Sequence, residues 1–442
     1  MKRIISLLLC LMITVSLCGV ASGCGKKDAA DGAILKGKTI RIASWGQGAK
    51  PSEGTEDGDL IAEQVKAAEE KYGCKVEYLT IPDITQQILT AATTGQVIGE
   101  AIVFKTHRIR ELLMKGDFYW SLDELGQDPN NELFNKDTAN YSTFNGKTYG
   151  WWYQPTFVNN VCVVNKKVLA LQGVNIDDYY SLVEDRKWNF DAWNELMLKS
   201  INPTEGIFGC GQVGTFTTLV MHANDTSMYA VNKDGLHVEN TQDPKLTQVF
   251  EFLSNCSIKD KTIKFNIGST ADQIQTDFIN GKYATMFAVL SCVRDVLPKS
   301  MDNADWGIMP IPMGPGATDY AKIDAECRAF CIQKAVPLEE AKAIFEFINE
   351  AFVYPFDETT GMESKYKAFC PDKQSIDNMM LMQALPLRLV SEYTEPDVRT
   401  YFNFMGDLNG MGEGTKPIKG TLDSLAQPIQ ATLDENYGQK SK

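Results

Sequence analysis

Thr39-Ile40-Arg41-Ile42-Ala43, followed at once by Ser44-Trp45-Gly46-Gln47-Gly48, sets the class of the molecule. The first five residues alternate as a strand does, and the next five are loop formers. Working outward, residues 60–72 repeat apolar side chains at helical spacing and end at Gly73, a helix stop. Residues 74–79 predict a second strand, 84–93 a second helix and 101–104 a third strand. Strand, helix, strand, helix, strand means an α/β fold, a parallel sheet with helices packed on its faces.

Further on, Asn145-Gly146-Lys147-Thr148-Tyr149-Gly150 forms a turn, and residues 151–164 are an aromatic and β-branched run long enough to cross between two lobes. The next part is mainly helical, over 192–199, 246–255 and 270–280, before a buried strand at 283–289. Trp306-Gly307-Ile308-Met309-Pro310-Ile311-Pro312 is extended, because each proline pushes the residue before it out of the α region. It is expected to be the return crossing.

At the other end of the chain, Lys2 and Arg3 precede an apolar run over 4–20, then Ala21-Ser22-Gly23-Cys24 and a polar stretch beginning Gly25-Lys26-Lys27-Asp28. That layout predicts a signal peptide over 1–23. Ala21-Ser22-Gly23-Cys24 resembles a bacterial lipobox, with Ala21 where leucine is usual. The resemblance implies lipidation at Cys24 and a flexible tether over 24–35.

The 442 residues carry 43 Lys+Arg and 57 Asp+Glu, a net charge of -14. With Lys2 and Arg3 removed, 41 basic residues face the same 57 acids, a net of -16. Such a surface argues against nucleic acid or anionic lipid as a partner. The length suits two lobes of roughly 200 residues each. Of the 11 cysteines, Cys74, Cys162, Cys210, Cys256, Cys292, Cys327, Cys331 and Cys370 lie beyond Cys24. No CxxC pair occurs and most sit in apolar runs, so buried thiols are expected first, a disulfide second and a metal site last.

Several landmarks in order resemble family 1 of the extracellular solute-binding proteins, the sugar-binding components of ABC importers. Ala67-Ala68-Glu69-Glu70-Lys71-Tyr72-Gly73 is similar to the family's FEEKYG, and Asn145 to Gly150 to DGKVYG. Val163-Val164-Asn165-Lys166 stands for YYNK, and Lys187-Trp188-Asn189-Phe190-Asp191 for KWTWDE. Phe278 to Met286 resembles FLNGKAAM, and Trp306 to Pro315 resembles WGVAPLPKGP. Glu100 replaces the aspartate of GDPPDVV, whose prolines are missing.

The resemblance implies a two-lobe periplasmic-binding-protein-like fold of type II, hinged near 157–160 and 309–312, closing on a ligand in the cleft. Lobe one is expected at 36–157 and 316–378, lobe two at 158–315 and 379–442. It also implies a monomer without cofactor or catalytic group that serves ABC permease subunits.

Sugar recognition needs aromatic faces and hydrogen-bonding side chains. Trp45 and Gln47 follow the first strand, at the carboxyl end where open α/β sheets bind ligands. Alternation sends neighbours among Trp151, Trp152 and Tyr153 to opposite faces; Trp152 is the first choice for the cleft and Tyr153 the second. Glu326 and Arg328 interrupt an apolar stretch where the family lines its cleft, a surface salt bridge being the plainer reading. Tyr401 lies where sugar-binding relatives carry an aromatic cluster; a core stripe is the alternative. Trp188, Phe190 and Trp306 are assigned to packing.

Enzyme readings find little. Gly209-Cys210-Gly211-Gln212-Val213-Gly214 is a formal GxGxxG, yet no full strand precedes it and no convincing helix start follows. His107, His222 and His237 have no metal-ligand spacing, and Gly54-Thr55-Glu56-Asp57-Gly58-Asp59 lacks the length and closing glutamate of a calcium loop. A glycosidase, whose two carboxylates only space can identify, and a surface adhesin are the competing classes.

Overall fold

The computed structural model describes residues 33–46, 50–51, 54, 56–212, 216–232, 236–265, 269–324, 327–353, 360–390 and 404–437. The chain forms two compact units: one takes the described residues up to Gln154 with those from Arg328 to Pro355, the other Pro155–Cys327 and those from Phe356 onward.

In the first unit, β1 (Thr39–Ser44), α1 (Glu56–Tyr72), β2 (Lys75–Thr80), α2 (Ile84–Thr94), β3 (Ala101–Lys105) and α3 (Thr106–Lys115) follow the predicted alternation. Two later elements complete it, β4 (Arg328–Ile332) and α4 (Leu338–Phe352). The sheet runs β4-β3-β1-β2. β1 pairs in parallel with β2 and β3, and β4 pairs antiparallel with β3.

α1 folds where its apolar residues recur at helical spacing. Ile61, Val65, Ala68 and Tyr72 are buried, and Tyr72 meets Phe347 of α4 edge-on at 5.7 Å. Gly99, just ahead of β3, lies so close to β1 that a Cβ there would stand 2.9 Å from Ala43 Cβ. Its neighbour Glu100 accepts from Arg41 Nε at 3.1 Å, Nη2 at 2.7 Å and the backbone N–H at 2.8 Å. Burial pushes the Glu100 carboxyl up, but these hydrogen bonds and the guanidinium charge hold it below its usual value. The glutamate that departs from the family pattern thus ties β1 to the start of β3.

In the second unit a mixed sheet takes strands Ile263–Phe265, Phe208–Gln212, Tyr283–Val289, Asn160–Asn165 and Trp306–Met309, in that order. Helices Phe190–Ser200, Pro244–Ser254 and Ala271–Ile279 match the helical prediction. Trp188, Phe190 and Trp306 are buried, with Trp188 Nε1 donating to Pro310 O at 2.9 Å. All eight described cysteines are buried, and none forms a disulfide among the described residues.

Three expectations change. The boundaries differ, because the described residues of 316–327 and 360–378 belong to the second unit rather than to lobe one, while those from 379 onward fall in the second unit as expected. Lys322–Asp324 pairs in parallel with Leu387–Leu389, and Ser375 and Asn378 of helix Lys373–Gln383 hydrogen-bond the backbone of Ile308. The extended Trp306–Met309 is no return crossing, for it pairs with Asn160–Asn165 inside the second unit, and the chain returns between Cys327 and Arg328. The outward crossing falls between Gln154 and Pro155, just ahead of the hinge expected at 157–160.

The third change concerns the GxGxxG run. Its first glycines lie within strand Phe208–Gln212, and a helix, Phe216–Ala223, does follow. A Cβ at Gly209 would stand 2.5 Å from Met197 and one at Gly211 2.5 Å from Tyr283. Gly209 and Gly211 let large side chains pack on the sheet.

Candidate functional site

The carboxyl edge of the first unit's sheet gathers the chemistry. β1 ends at Ser44, whose hydroxyl donates to Gly46 O and shapes the turn that carries Trp45. β3, parallel to β1, ends at Lys105, and antiparallel β4 begins at Arg328 directly opposite Lys105. Register alone therefore brings three side chains from three strands to one edge.

Trp45 is half-buried, its ring 6.3 Å from that of Phe104. Lys105 Nζ stands 5.4 Å from the indole centroid and Arg328 Cζ 5.6 Å, both within cation–π range. α3 starts immediately after Lys105, and its first turn holds no acidic residue. Its N-terminal N–H groups add a partial positive charge to the same edge.

Beside this edge, Trp151 and Phe330 of β4 exchange backbone hydrogen bonds of 3.1 and 2.8 Å. Trp151 is fully buried, while Trp152 is half-buried and stacks on Phe330 at 5.0 Å. Tyr153 is buried; its hydroxyl accepts from Trp151 Nε1 at 3.0 Å and donates to Asn349 Oδ1 at 3.1 Å. Alternation thus sends 151 and 153 into the core and 152 out, and Tyr153, a candidate ligand contact, is a packing residue. Asn135 pins the segment, its N–H donating to Trp152 O at 2.7 Å and Nδ2 to Gln154 O at 2.6 Å.

Of the residues named from the sequence, Trp45 and Arg328 come together and Trp152 lies on the Phe330 side of β4. Gln47, Glu326, Tyr401 and the lipidation candidate Cys24 lie outside the described residues. Among the described residues Arg328 has no ion-pair partner. Lys105 escaped the sequence reading, although the rule that picked Trp45 applies to it: it is the last residue of the third parallel strand. The edge offers an indole face and two cations, suited to holding a small molecule with apolar and hydrogen-bonding surfaces.

The model of a bacterial extracellular solute-binding protein matches residues 63–353, and the chain belongs to that family. No curated protein matches. Among solved structures, the sugar-binding protein MalE from Xanthomonas citri superposes with a TM-score of 0.64 at 13% identity, covering 91% of this chain and 100% of its own. The galacto-N-biose/lacto-N-biose I-binding protein of an ABC transporter from Bifidobacterium longum, solved with lacto-N-biose, gives 0.63 at 13%, over 90% and 97%. The ABC substrate-binding protein Lmo0181 from Listeria monocytogenes, solved with cycloalternan, gives 0.60 at 15%, over 91% and 100%. The fold is therefore the mixed α/β, two-lobe fold of periplasmic-binding-protein type.

Proposed function

We propose that this chain captures a carbohydrate outside the cell and presents it to the permease subunits of an ABC importer, held at the membrane by lipid on Cys24. It works as a monomer that binds and releases, without catalysis. Trp45, just past the carboxyl end of the first parallel strand with Lys105 and Arg328 near its ring, carries the reading: an indole packs on the C–H face of a sugar ring while neighbouring donors take its oxygens. The sugars held by the structural neighbours support it.

A thermal-shift screen of the whole protein in mild detergent against a carbohydrate panel tests it. Ligand at 100 times its dissociation constant adds about 2.7 kcal/mol. At roughly 2–4 °C per kcal/mol for lobes of this size, a true ligand raises the midpoint by about 5–10 °C, and Trp45→Ala abolishes the shift. No response to any sugar rejects the carbohydrate assignment, and turnover of aryl-glycosides turns the reading toward a glycosidase. Cys24→Ser releases the protein from the membrane fraction if Cys24 carries the lipid.

A further inference from the structure

We infer that the outward passage of the chain turns at Pro155 and Thr156, and that Asn135 and Gln383 are positioning residues that confine the turn to this pair. The inference concerns the hinge alone, so it holds whichever solute the chain takes.

The segment up to Gln154 is fixed within the first unit. Asn135 donates its N–H to Trp152 O at 2.7 Å and its Nδ2 to Gln154 O at 2.6 Å. Its Oδ1 caps helix Lys136–Tyr141, accepting from Thr138 N at 3.0 Å, so the side chain is itself held. The segment from Thr156 onward is fixed within the second unit by another amide. Gln383, the last residue of helix Lys373–Gln383, donates Nε2 to Thr156 O at 2.9 Å and accepts at Oε1 from Val158 N at 3.2 Å. The Tyr366 hydroxyl donates to the same Oε1 at 2.7 Å. An amide side chain carries both a donor and an acceptor, so Gln383 grips two peptide groups as a neighbouring strand would. The residues that follow are bound as well. Val158 is fully buried, Asn159 Nδ2 donates to Asp324 Oδ1 at 2.8 Å, and Asn159 O accepts from Leu290 N at 2.7 Å. Asn160 opens the strand that ends at Asn165. Residues 157–160, where the resemblance puts the hinge, are thus tied into the second unit.

Between the held carbonyls of Gln154 and Thr156 lie the torsions of Pro155 and Thr156. Peptide planes are rigid, and the proline ring locks its own φ at about −65°. What remains is ψ of Pro155 with φ and ψ of Thr156, a hinge of the usual kind in which a few residues absorb the change. Thr156 also stands beside the return passage, its Oγ1 3.8 Å from Sγ of Cys327, the last residue of the second unit before Arg328. Outward and return passages meet at the turn. Because Asn135 holds the carbonyl of Trp152, bending at Pro155 leaves the exposed part of that indole in place on Phe330.

Amide relaxation dispersion on the isotope-labelled whole protein in mild detergent, without ligand, tests this on the microsecond-to-millisecond scale of hinge motion. The expected result is exchange broadening at the Thr156 amide between quiet amides at Gln154 and Val158. Gln383→Ala spreads the exchange forward to Phe157 and Val158 and leaves Gln154 quiet. Asn135→Ala spreads it backward to Tyr153 and Gln154 and leaves Val158 quiet. Asn378→Ala removes a hydrogen bond from the same helix to Ile308, away from the passage, and leaves all these amides as in wild type. A quiet Thr156, or exchange at residues 158–160 as strong as at Thr156, overturns the inference. So does a Gln383→Ala variant that loosens both sides alike or neither.

Discussion

Arg41 and Arg328 belong to the same four-stranded sheet and are used in opposite ways. Arg41 spends its guanidinium on Glu100, with hydrogen bonds of 2.7 and 3.1 Å and its own N–H on the same carboxylate. Arg328, on β4 opposite the far end of β3, lies near the ring of Trp45 and has no ion pair among the described residues. A cation matched by an internal carboxylate is scaffold; one left facing an aromatic ring is available to something from outside. The two tryptophans 151 and 152 divide in the same manner, one sealed in the core and the other half-buried on Phe330.

The contrast is open to direct attack. Trp151→Ala should cost about 3–5 kcal/mol in denaturant unfolding of the first unit, and Trp152→Ala much less; equal losses would erase the distinction between core and surface. Glu100→Ala strands the Arg41 guanidinium and should cost about 1–3 kcal/mol. Because the folded Glu100 carboxyl lies below its ordinary 4.5, its contribution is full above that pH and fades as pH falls through the lowered value. Wild type and variant should therefore converge in acid; a gap that stays constant at low pH would show that charge is not involved.

Glu124 offers a second scaffold pair. The hydrogen bond from Lys334, which also stands 4.0 Å over Trp120, lowers the Glu124 carboxyl to about 2 in spite of its desolvation. Glu124→Gln should cost less than about 1 kcal/mol at neutral pH, with the difference vanishing between pH 4.5 and about 2. The smallest effect belongs to Arg328→Gln, whose ligand-free stability should stay within about 0.5 kcal/mol of wild type. A loss of 2 kcal/mol would make Arg328 scaffold like Arg41.

Much of this was legible in the chain. The alternation of residues 39–43 and the helical spacing of 60–72 placed the parallel sheet, because each strand is short and bounded by loop or turn formers. Trp45 was legible because strand ends in α/β sheets are where ligands sit. Lys105 was open to the same rule but lies in a buried run where it passes for a strand terminus. Tyr153 was mistaken for a ligand contact because alternation gives opposite faces without saying which is core; the hydrogen bonds to Trp151 and Asn349 decide it. The unit boundaries were misplaced after residue 316, since partnering across the chain, as between Lys322–Asp324 and Leu387–Leu389, leaves no local mark.

The pairing of Arg328 with Lys105 spans 223 positions, 328 against 105, and that distance governs how the molecule is born. A nascent chain that has reached residue 320 already holds Trp45 and Lys105. Its strand Ala101–Lys105 still has a bare edge, and helix Glu56–Tyr72 lacks the Phe347 side chain that Tyr72 meets, because β4 and Leu338–Phe352 have not been made. Bare strand edges recruit other strands. Until the ribosome passes residue 352, the first unit lacks both β4 and Leu338–Phe352, the end of a long insertion that its sheet needs for closure.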